Sequence, residues 1–241
     1  MKLLLHACCG PCTLEPLRLL QEEGHDISIA YMNSNIAPKA EYEHRLQTLL
    51  DYAKTQDIDV VEGVYDPKAW AREAGVIGPD PETRESRCRA CYRLRLQEAA
   101  QYAADHGFDG LATTLTVSPY QYTEVIHEEL VDACGTRGLK PVFHDYREQY
   151  PEATRRSRAL GMYRQDYCGC AYSKVEADTE RAERAAERAR KKAEHDAEMA
   201  PIRAAQEAER KRKRAEKQAY AEKRAAQRAA LKAYKQAHAN D

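Results

Sequence analysis

Seven of the eight cysteines fall in three tight groups: Cys8, Cys9 and Cys12; Cys88 and Cys91; Cys168 and Cys170. A thiolate sulfur is both a nucleophile and a metal ligand. Cys88-x-x-Cys91 has the spacing of a metal-binding pair, because two intervening residues let both sulfurs face one centre in a tight turn. The adjacent pair Cys8-Cys9 is unlike the spaced ligands of a zinc ribbon; neighbouring sulfurs reach different corners of a cluster, or different metals. Four thiolates from two distant segments suit a [4Fe–4S] cubane or a four-thiolate zinc site. Cys168-Gly169-Cys170 has one intervening residue, which points to a strained, redox-active disulfide or a shared metal edge. Helix N-termini lower a thiol's pKa, and Cys12 and Cys88 are both expected just ahead of helices. Cys134 stands alone near a helix end and reads as a small buried hydrophobe.

The rest of the chain sets the redox context. Residues 1–6 form a short apolar run ending in His6, with Cys, Gly and Pro close behind. A secretory signal has a longer apolar region with positive charge before it. No stretch approaches the ~18 apolar residues of a membrane-spanning helix. The expected location is the cytoplasm, with no membrane partner. In a reducing compartment clustered thiols default to metal binding or redox chemistry rather than structural disulfides. Overall charge is balanced, with 38 Lys+Arg against 39 Asp+Glu. That balance hides a split: residues 174–241 hold 19 basic and 13 acidic side chains, and the preceding 173 hold 19 basic and 26 acidic.

Strands are predicted at 2–6, 26–32, 58–62, 108–115 and 140–144. Helices are predicted at 13–23, 40–56, 67–74, 89–106, 120–134 and 151–160, with Thr13 capping the first and a Gly/Pro/charged stretch at 75–87. Strand and helix alternate, which predicts an α/β fold: a Rossmann-like open, mostly parallel sheet with helices on both faces. A nucleotide-alpha-hydrolase-like variant is one subclass of that fold, and strand order does not follow from the pattern. Ligands bind such sheets beyond the carboxyl ends of the strands, where loops 8–12, 33–38 and 113–119 fall. From Ala177 the composition turns to Ala, Arg, Glu and Lys, with no Val after Val175 and only Ile202 and Leu231 as branched aliphatics. The organisation is therefore a catalytic domain at 1–176 and a helical or disordered charged tail at 177–241, one helix or two broken at Pro201. The tail cannot build a core of its own, so a chain ending near Val175 is expected to fold. Its last part, 203–241, holds 12 basic and 5 acidic residues. That composition fits a solvated tail or an arm that neutralises RNA phosphates.

Three motifs match a known family: Leu5-His6-Ala7-Cys8-Cys9-Gly10-Pro11-Cys12, Arg87-Cys88-Arg89-Ala90-Cys91-Tyr92-Arg93-Leu94-Arg95-Leu96, and Leu160-Gly161-Met162-Tyr163-Arg164-Gln165-Asp166-Tyr167-Cys168-Gly169-Cys170-Ala171-Tyr172-Ser173. With Tyr31-Met32-Asn33-Ser34-Asn35-Ile36 and Thr113-Thr114-Leu115-Thr116-Val117-Ser118-Pro119, they resemble the cobalamin-independent epoxyqueuosine reductases, the QueH family, over residues 1–175. The resemblance implies reduction of epoxyqueuosine to queuosine at the wobble position of tRNA, the last step of queuosine synthesis, with electrons from a donor it does not identify. It implies a [4Fe–4S] cluster on Cys8, Cys9, Cys88 and Cys91. Cys168 and Cys170 would be a redox-active pair or ligands of a neighbouring metal. The family has Cys or Asp at the position of Cys12, both iron ligands, which leaves Cys12 open as a ligand of a second iron.

Removing an epoxide oxygen takes two electrons, a Lewis acid or proton donor, and a dry pocket. Tyr163, Asp166 and His6 are the candidate proton donors, against packing, turn and core roles for the same residues. Arg84, Arg87, Arg89, Arg93 and Arg95 flank the second cysteine pair, and Arg155, Arg156, Arg158 and Arg164 precede the last. Tyr92, Tyr120, Tyr122, Tyr163 and Tyr167 interleave with them. Arg with aromatics suits an anticodon loop whose base leaves the stack, or else surface salt bridging. The competing reading is a non-enzymatic zinc-binding module associated with tRNA. An ATP-using sulfur-transfer or ligase-type enzyme would need a Ser/Gly-rich loop after the first strand, where Cys8-Cys9-Gly10-Pro11-Cys12 stands instead.

Overall fold

In the computed structural model, which describes residues 1–237, the predicted strands form one five-stranded sheet. Residues 238–241, the end of the predicted tail, lie outside the described residues. The strands are β1 (Lys2–His6), β2 (Asp26–Tyr31), β3 (Val60–Glu62), β4 (Gly110–Thr113) and β5 (Lys140–Val142). All pairs are parallel, in the order β3-β2-β1-β4-β5. Leu3, Leu4 and Leu5 of β1 are fully buried. A continuous apolar run is what a central parallel strand covered on both faces requires.

The two faces divide by the strand's period of two. Leu3, Leu5 and Ile27 pack with Leu14, Leu17 and Leu20 of helix α1 (Gly10–Glu22). Tyr31 and Ile29 pack with Leu46 and Leu49 of α2 (Lys39–Thr55) on that side. Leu4, Ala30 and Leu111 face the other way. There they meet Leu96, Ala99 and Ala103 of α4 (Arg84–Asp105) and Ile126 and Leu130 of α5 (Thr123–Gly135). Each fully buried Leu or Ile contributes roughly 1.5–3 kcal/mol. The short α3 (Pro67–Glu73) precedes α4, and α6 (Tyr150–Ala159) packs on α1. From β1 the chain builds β2 and β3 to one side and β4 and β5 to the other. The crevice at the carboxyl ends of β1 and β4 is thus the topological switch point, where such sheets bind ligands.

Two local expectations are corrected, and one left open is decided. α1 starts at Gly10, not after Thr13, whose hydroxyl donates to the Cys9 carbonyl at 2.8 Å from within the helix. Cys12 is therefore in the first turn rather than ahead of it. α4 starts at Arg84, not Arg89: Asp80 accepts from the Glu82 N–H at 2.9 Å and Pro81 opens a 3₁₀ turn that runs into the helix. Asp-Pro-Glu is a helix-start signature lying upstream of the cysteines. The last helix, α7 (Ala171–Ala237), passes through Pro201 unbroken. A proline in a helix interior costs ~3 kcal/mol, and long runs of Ala, Glu, Lys and Arg on either side offset it.

The chain forms two compact units, Met1–Asp178 and a second beginning at Thr179. In the second, from residue 200 through 233, every side chain is exposed. Ion pairs such as Glu187–Lys191 (2.7 Å) and Glu209–Lys213 (2.7 Å) run along it at i,i+4. No helix among the described residues is long and apolar enough to cross a membrane.

Candidate functional site

The turn from β1 into α1 carries the first three cysteines, and their sulfurs all lie within 4.8 Å of one another. Cys8 and Cys9 sulfurs are 3.8 Å apart. Gly10 is required here: a Cβ would sit 2.7 Å from the Met162 methyl and 3.1 Å from Thr48, so the helix start packs directly under the segment that leads to the last cysteines. Hydrogen bonds with Cys12 and then Cys9 hold the Cys8 thiol well below its ordinary pKa, with help from Arg95 and Thr114. Burial pushes Cys9 up to about 12, and Cys12 is raised because its proton is shared with Cys8 and Cys9. Thr114, just past β4, accepts from the Cys8 N–H at 3.3 Å and lies 3.6 Å from its sulfur, so both sides of the switch point meet at Cys8.

Cys88, Cys91 and Arg95 lie at i, i+3 and i+7 along α4, on one helical face. The expected tight turn around Cys88-x-x-Cys91 is thus a helix. Burial raises both thiols, Cys88 to about 12; Arg95 and the Trp70 indole N–H oppose the rise at Cys91. Arg95 is 1% exposed, donates to the Asn33 Oδ1, and faces Cys91, Cys8 and Cys168. It is the cation common to all three cysteine groups.

The last pair is carried by the segment between α6 and α7. Arg45 of α2, also 1% exposed, donates to the carbonyls of Cys168 (2.8 Å) and Tyr167 (3.3 Å) and pairs with Glu41 at 2.7 Å. The Gly169 carbonyl accepts from the Ala37 N–H at 2.9 Å. Gly169 has φ +142°, and a Cβ there would lie 3.0 Å from Ile36, 3.1 Å from Asn35 and 3.3 Å from Arg45. Cys170 packs with Cys91, Trp70 and Ala74. Burial raises the Cys168 thiol, followed by the charges of Cys170, Cys91 and Cys88. The last pair is therefore gathered with Cys88 and Cys91, while Cys12 is gathered with Cys8 and Cys9. All eight cysteines are free thiols, and Cys134 is fully buried in the α4/α5 core, pushed up to about 11 by that burial.

Gln165 is not among the site residues expected from sequence. Its amide nitrogen is 2.7 Å from the Cys9 sulfur and 3.9 Å from that of Cys12. It sits inside the Tyr-Arg-Gln-Asp-Tyr-Cys-Gly-Cys run, next to the candidate acid Asp166. Arg95, expected to face RNA, is instead a buried neighbour of the cysteines; its i,i+4 spacing from Cys91 is the available signal for that place.

The expected proton donors are differently placed. His6 is fully buried, accepting from the Thr113 hydroxyl (3.0 Å) and donating to the Met32 carbonyl (3.3 Å). Burial and then Arg95 lower its pKa to about 3. Tyr163 donates to Glu41 at 2.7 Å and stacks on His44 at 3.7 Å, and burial with Glu41 raises it to about 12. Asp166 is exposed.

Most of the expected RNA-facing arginines are otherwise engaged. Arg87 and Arg95 are buried, Arg89 and Arg93 pair with Glu129, and Arg156 pairs with Glu15 at 2.6 Å. Arg158 is exposed and Arg164 half-buried, neither with an ion pair among the described residues.

A sequence profile of the family described as Epoxyqueuosine reductase QueH matches residues 3–176. The chain is similar to the Epoxyqueuosine reductase QueH of Dehalococcoides mccartyi, 31% identical over 180 residues that cover 73% of this chain and 93% of that one. The protein of that name from Acinetobacter baylyi is 35% identical over 180 residues, 71% of this chain and 80% of the relative. The one from Streptococcus pyogenes is 32% identical over 179 residues, 71% and 69%.

Proposed function

Since the chain belongs to the epoxyqueuosine reductase QueH family, we propose that it reduces epoxyqueuosine to queuosine at the wobble position of tRNA, the last step of queuosine synthesis. The epoxide accepts two electrons and two protons, both C–O bonds break, and the products are the cyclopentene and water. The carrying observation is the gathering of free thiols beside the sheet's switch point: Cys8, Cys9 and Cys12 within 4.8 Å of one another, and Cys91 packed with Cys170.

The donor set fits an iron–sulfur cofactor. The site is all sulfur, largely buried, and ringed by the buried guanidiniums of Arg45, Arg87 and Arg95, which suit a cluster with net negative charge. The thiols that burial raises keep their protons until a metal displaces them. Cys8, Cys9, Cys88 and Cys91 would hold a [4Fe–4S] cluster. Cys168 and Cys170 would serve as a redox pair or bind a neighbouring metal, and Cys12, compact with Cys8 and Cys9, would ligate a second iron. Held there, a cluster would supply one-electron transfer and an open-site metal a Lewis acid for the epoxide oxygen.

The chain's own residues supply the rest. Gln165 donates to the Cys9 sulfur and orients it. Arg95 offsets the negative charge of three cysteine groups. Arg45 and Ala37 hold the Cys168–Cys170 turn by its backbone. Of the two candidate acids, Asp166 is the exposed one and Tyr163 works through Glu41. The partners are tRNA and an external electron donor, in the cytoplasm.

The test is anaerobic purification, iron and sulfide analysis, a visible spectrum, and turnover of tRNA carrying epoxyqueuosine. Single Ser substitutions at Cys8, Cys9, Cys88 and Cys91 are expected to remove the brown absorption and the activity. Full iron content in all four variants overturns the ligand assignment. A colourless, zinc-loaded native protein overturns the cluster.

A further inference from the structure

Residues 203–233 lie past the end of the family match at residue 176 and take no part in the site above. Their charges are not scattered. At about 100° per residue, Arg210, Arg214, Lys217, Arg224, Arg228 and Lys232 all fall within an arc of about 80° on one face of α7. The row spans about 33 Å of helix axis. None of the four acidic residues of this stretch lies in that arc.

The ion pairs sharpen the asymmetry. Glu207 pairs with Lys211 (2.9 Å), Glu209 with Lys213 (2.7 Å) and Glu216 with Arg212 (3.5 Å), while Glu222 takes a hydrogen bond from Gln218 (3.2 Å). Each acid is matched by a partner outside the row. The six cations in the row have no ion pair among the described residues, and all are exposed.

We propose that this row is an RNA-binding surface that neutralises successive phosphates of the tRNA substrate's backbone, without reading sequence. The choice of tRNA as the occupant rests on the function proposed above; the polyanion chemistry does not. Charge complementarity identifies the partner. A row of cations at one- and two-turn spacing matches a line of phosphates, and guanidinium and ammonium groups left unpaired are those that release counterions on binding. An anionic membrane is the poorer match. Helices that lie on membranes bury a face of Trp, Phe or Leu, and among residues 203–233 the large apolar side chains are only Tyr220 and Leu231.

The experiment compares two full-length variants of equal net charge: Arg210, Lys217, Arg224 and Arg228 all changed to Gln, and Lys211, Arg212, Lys213 and Lys223 all changed to Gln. Binding of an unmodified tRNA transcript is measured across a salt series. The row variant is expected to lose tenfold or more in affinity at low salt. Its slope of log K against log salt should shrink by about 3, at ~0.7–0.9 for each phosphate no longer neutralised. The off-row variant should lose much less, and both should keep wild-type iron content. Equal losses, or no loss in either, overturn the proposal. So does a row variant that binds RNA normally but loses binding to phosphatidylglycerol vesicles. Because the transcript carries no epoxyqueuosine, failure of the native protein to reduce the modified base would overturn the function and leave this comparison standing.

Discussion

At the scale of single residues, the cysteines divide by neighbourhood into Cys8, Cys9 and Cys12 on one hand and Cys88, Cys91, Cys168 and Cys170 on the other. Cys168 and Cys170 sit with Cys88 and Cys91, but Arg45 and Ala37 hold their turn by the backbone, independently of any sulfur ligation. Cys168→Ser should therefore leave cluster assembly intact and abolish turnover, read as iron content against epoxide reduction. A colourless Cys168→Ser protein would show that this pair ligates the cubane. Spacing alone exposed the cysteines, since three clusters of a reactive residue type stand out in a linear string. It did not expose Gln165 or the burial of Arg95. A glutamine beside a sulfur and an arginine under one look, in sequence, like any others.

At the scale of elements, two devices aim the cysteines. α4 presents Cys88, Cys91 and Arg95 on one face because its start lies at Arg84, before Cys88. The turn at Gly169 presents Cys168 and Cys170 because only glycine tolerates φ +142° with Ile36, Asn35 and Arg45 closed around it. Gly169→Ala should cost about 1–3 kcal/mol and lower activity, measured by thermal unfolding and turnover. Gly24→Ala is the control. Gly24 also has positive φ, but nothing lies within 4 Å of its Cβ position, so its cost should be about 1 kcal/mol with activity unchanged. Equal effects at both positions would mean that the Gly169 turn is no more constrained than a helix stop.

For the whole molecule, the boundary between site and tail has an energetic consequence. Glu176 accepts from Arg87 at 2.5 Å and lies 3.4 Å from Arg84, and Arg87 is buried. A chain ending near Val175, expected from the sequence to fold, loses Glu176 and leaves a buried guanidinium without its carboxylate. That loss should cost on the order of 3 kcal/mol, or about 10 °C in melting temperature for a domain of this size. A chain ending after Asp178 keeps Glu176 and should melt like the full-length protein. Equal melting temperatures for the two truncations would show that the Arg87–Glu176 pair contributes nothing net.

By itself, the amino-acid string determined the alternation of strand and helix, the charged tail and the cysteine groups. Each of these is written in local periodicity, composition or spacing. The tertiary structure alone decided the strand order, since which strands neighbour β1 depends on crossovers that leave no local mark. That order brings Thr114 to Cys8 and makes the β1/β4 edge the site. It also decided which arginines face solvent. Arg87 and Arg95 share a helix with Arg89 and Arg93, and only tertiary packing buries Arg87 against Gly78, Tyr172 and Glu176 and Arg95 against Asn33, while Arg89 and Arg93 reach Glu129 of α5.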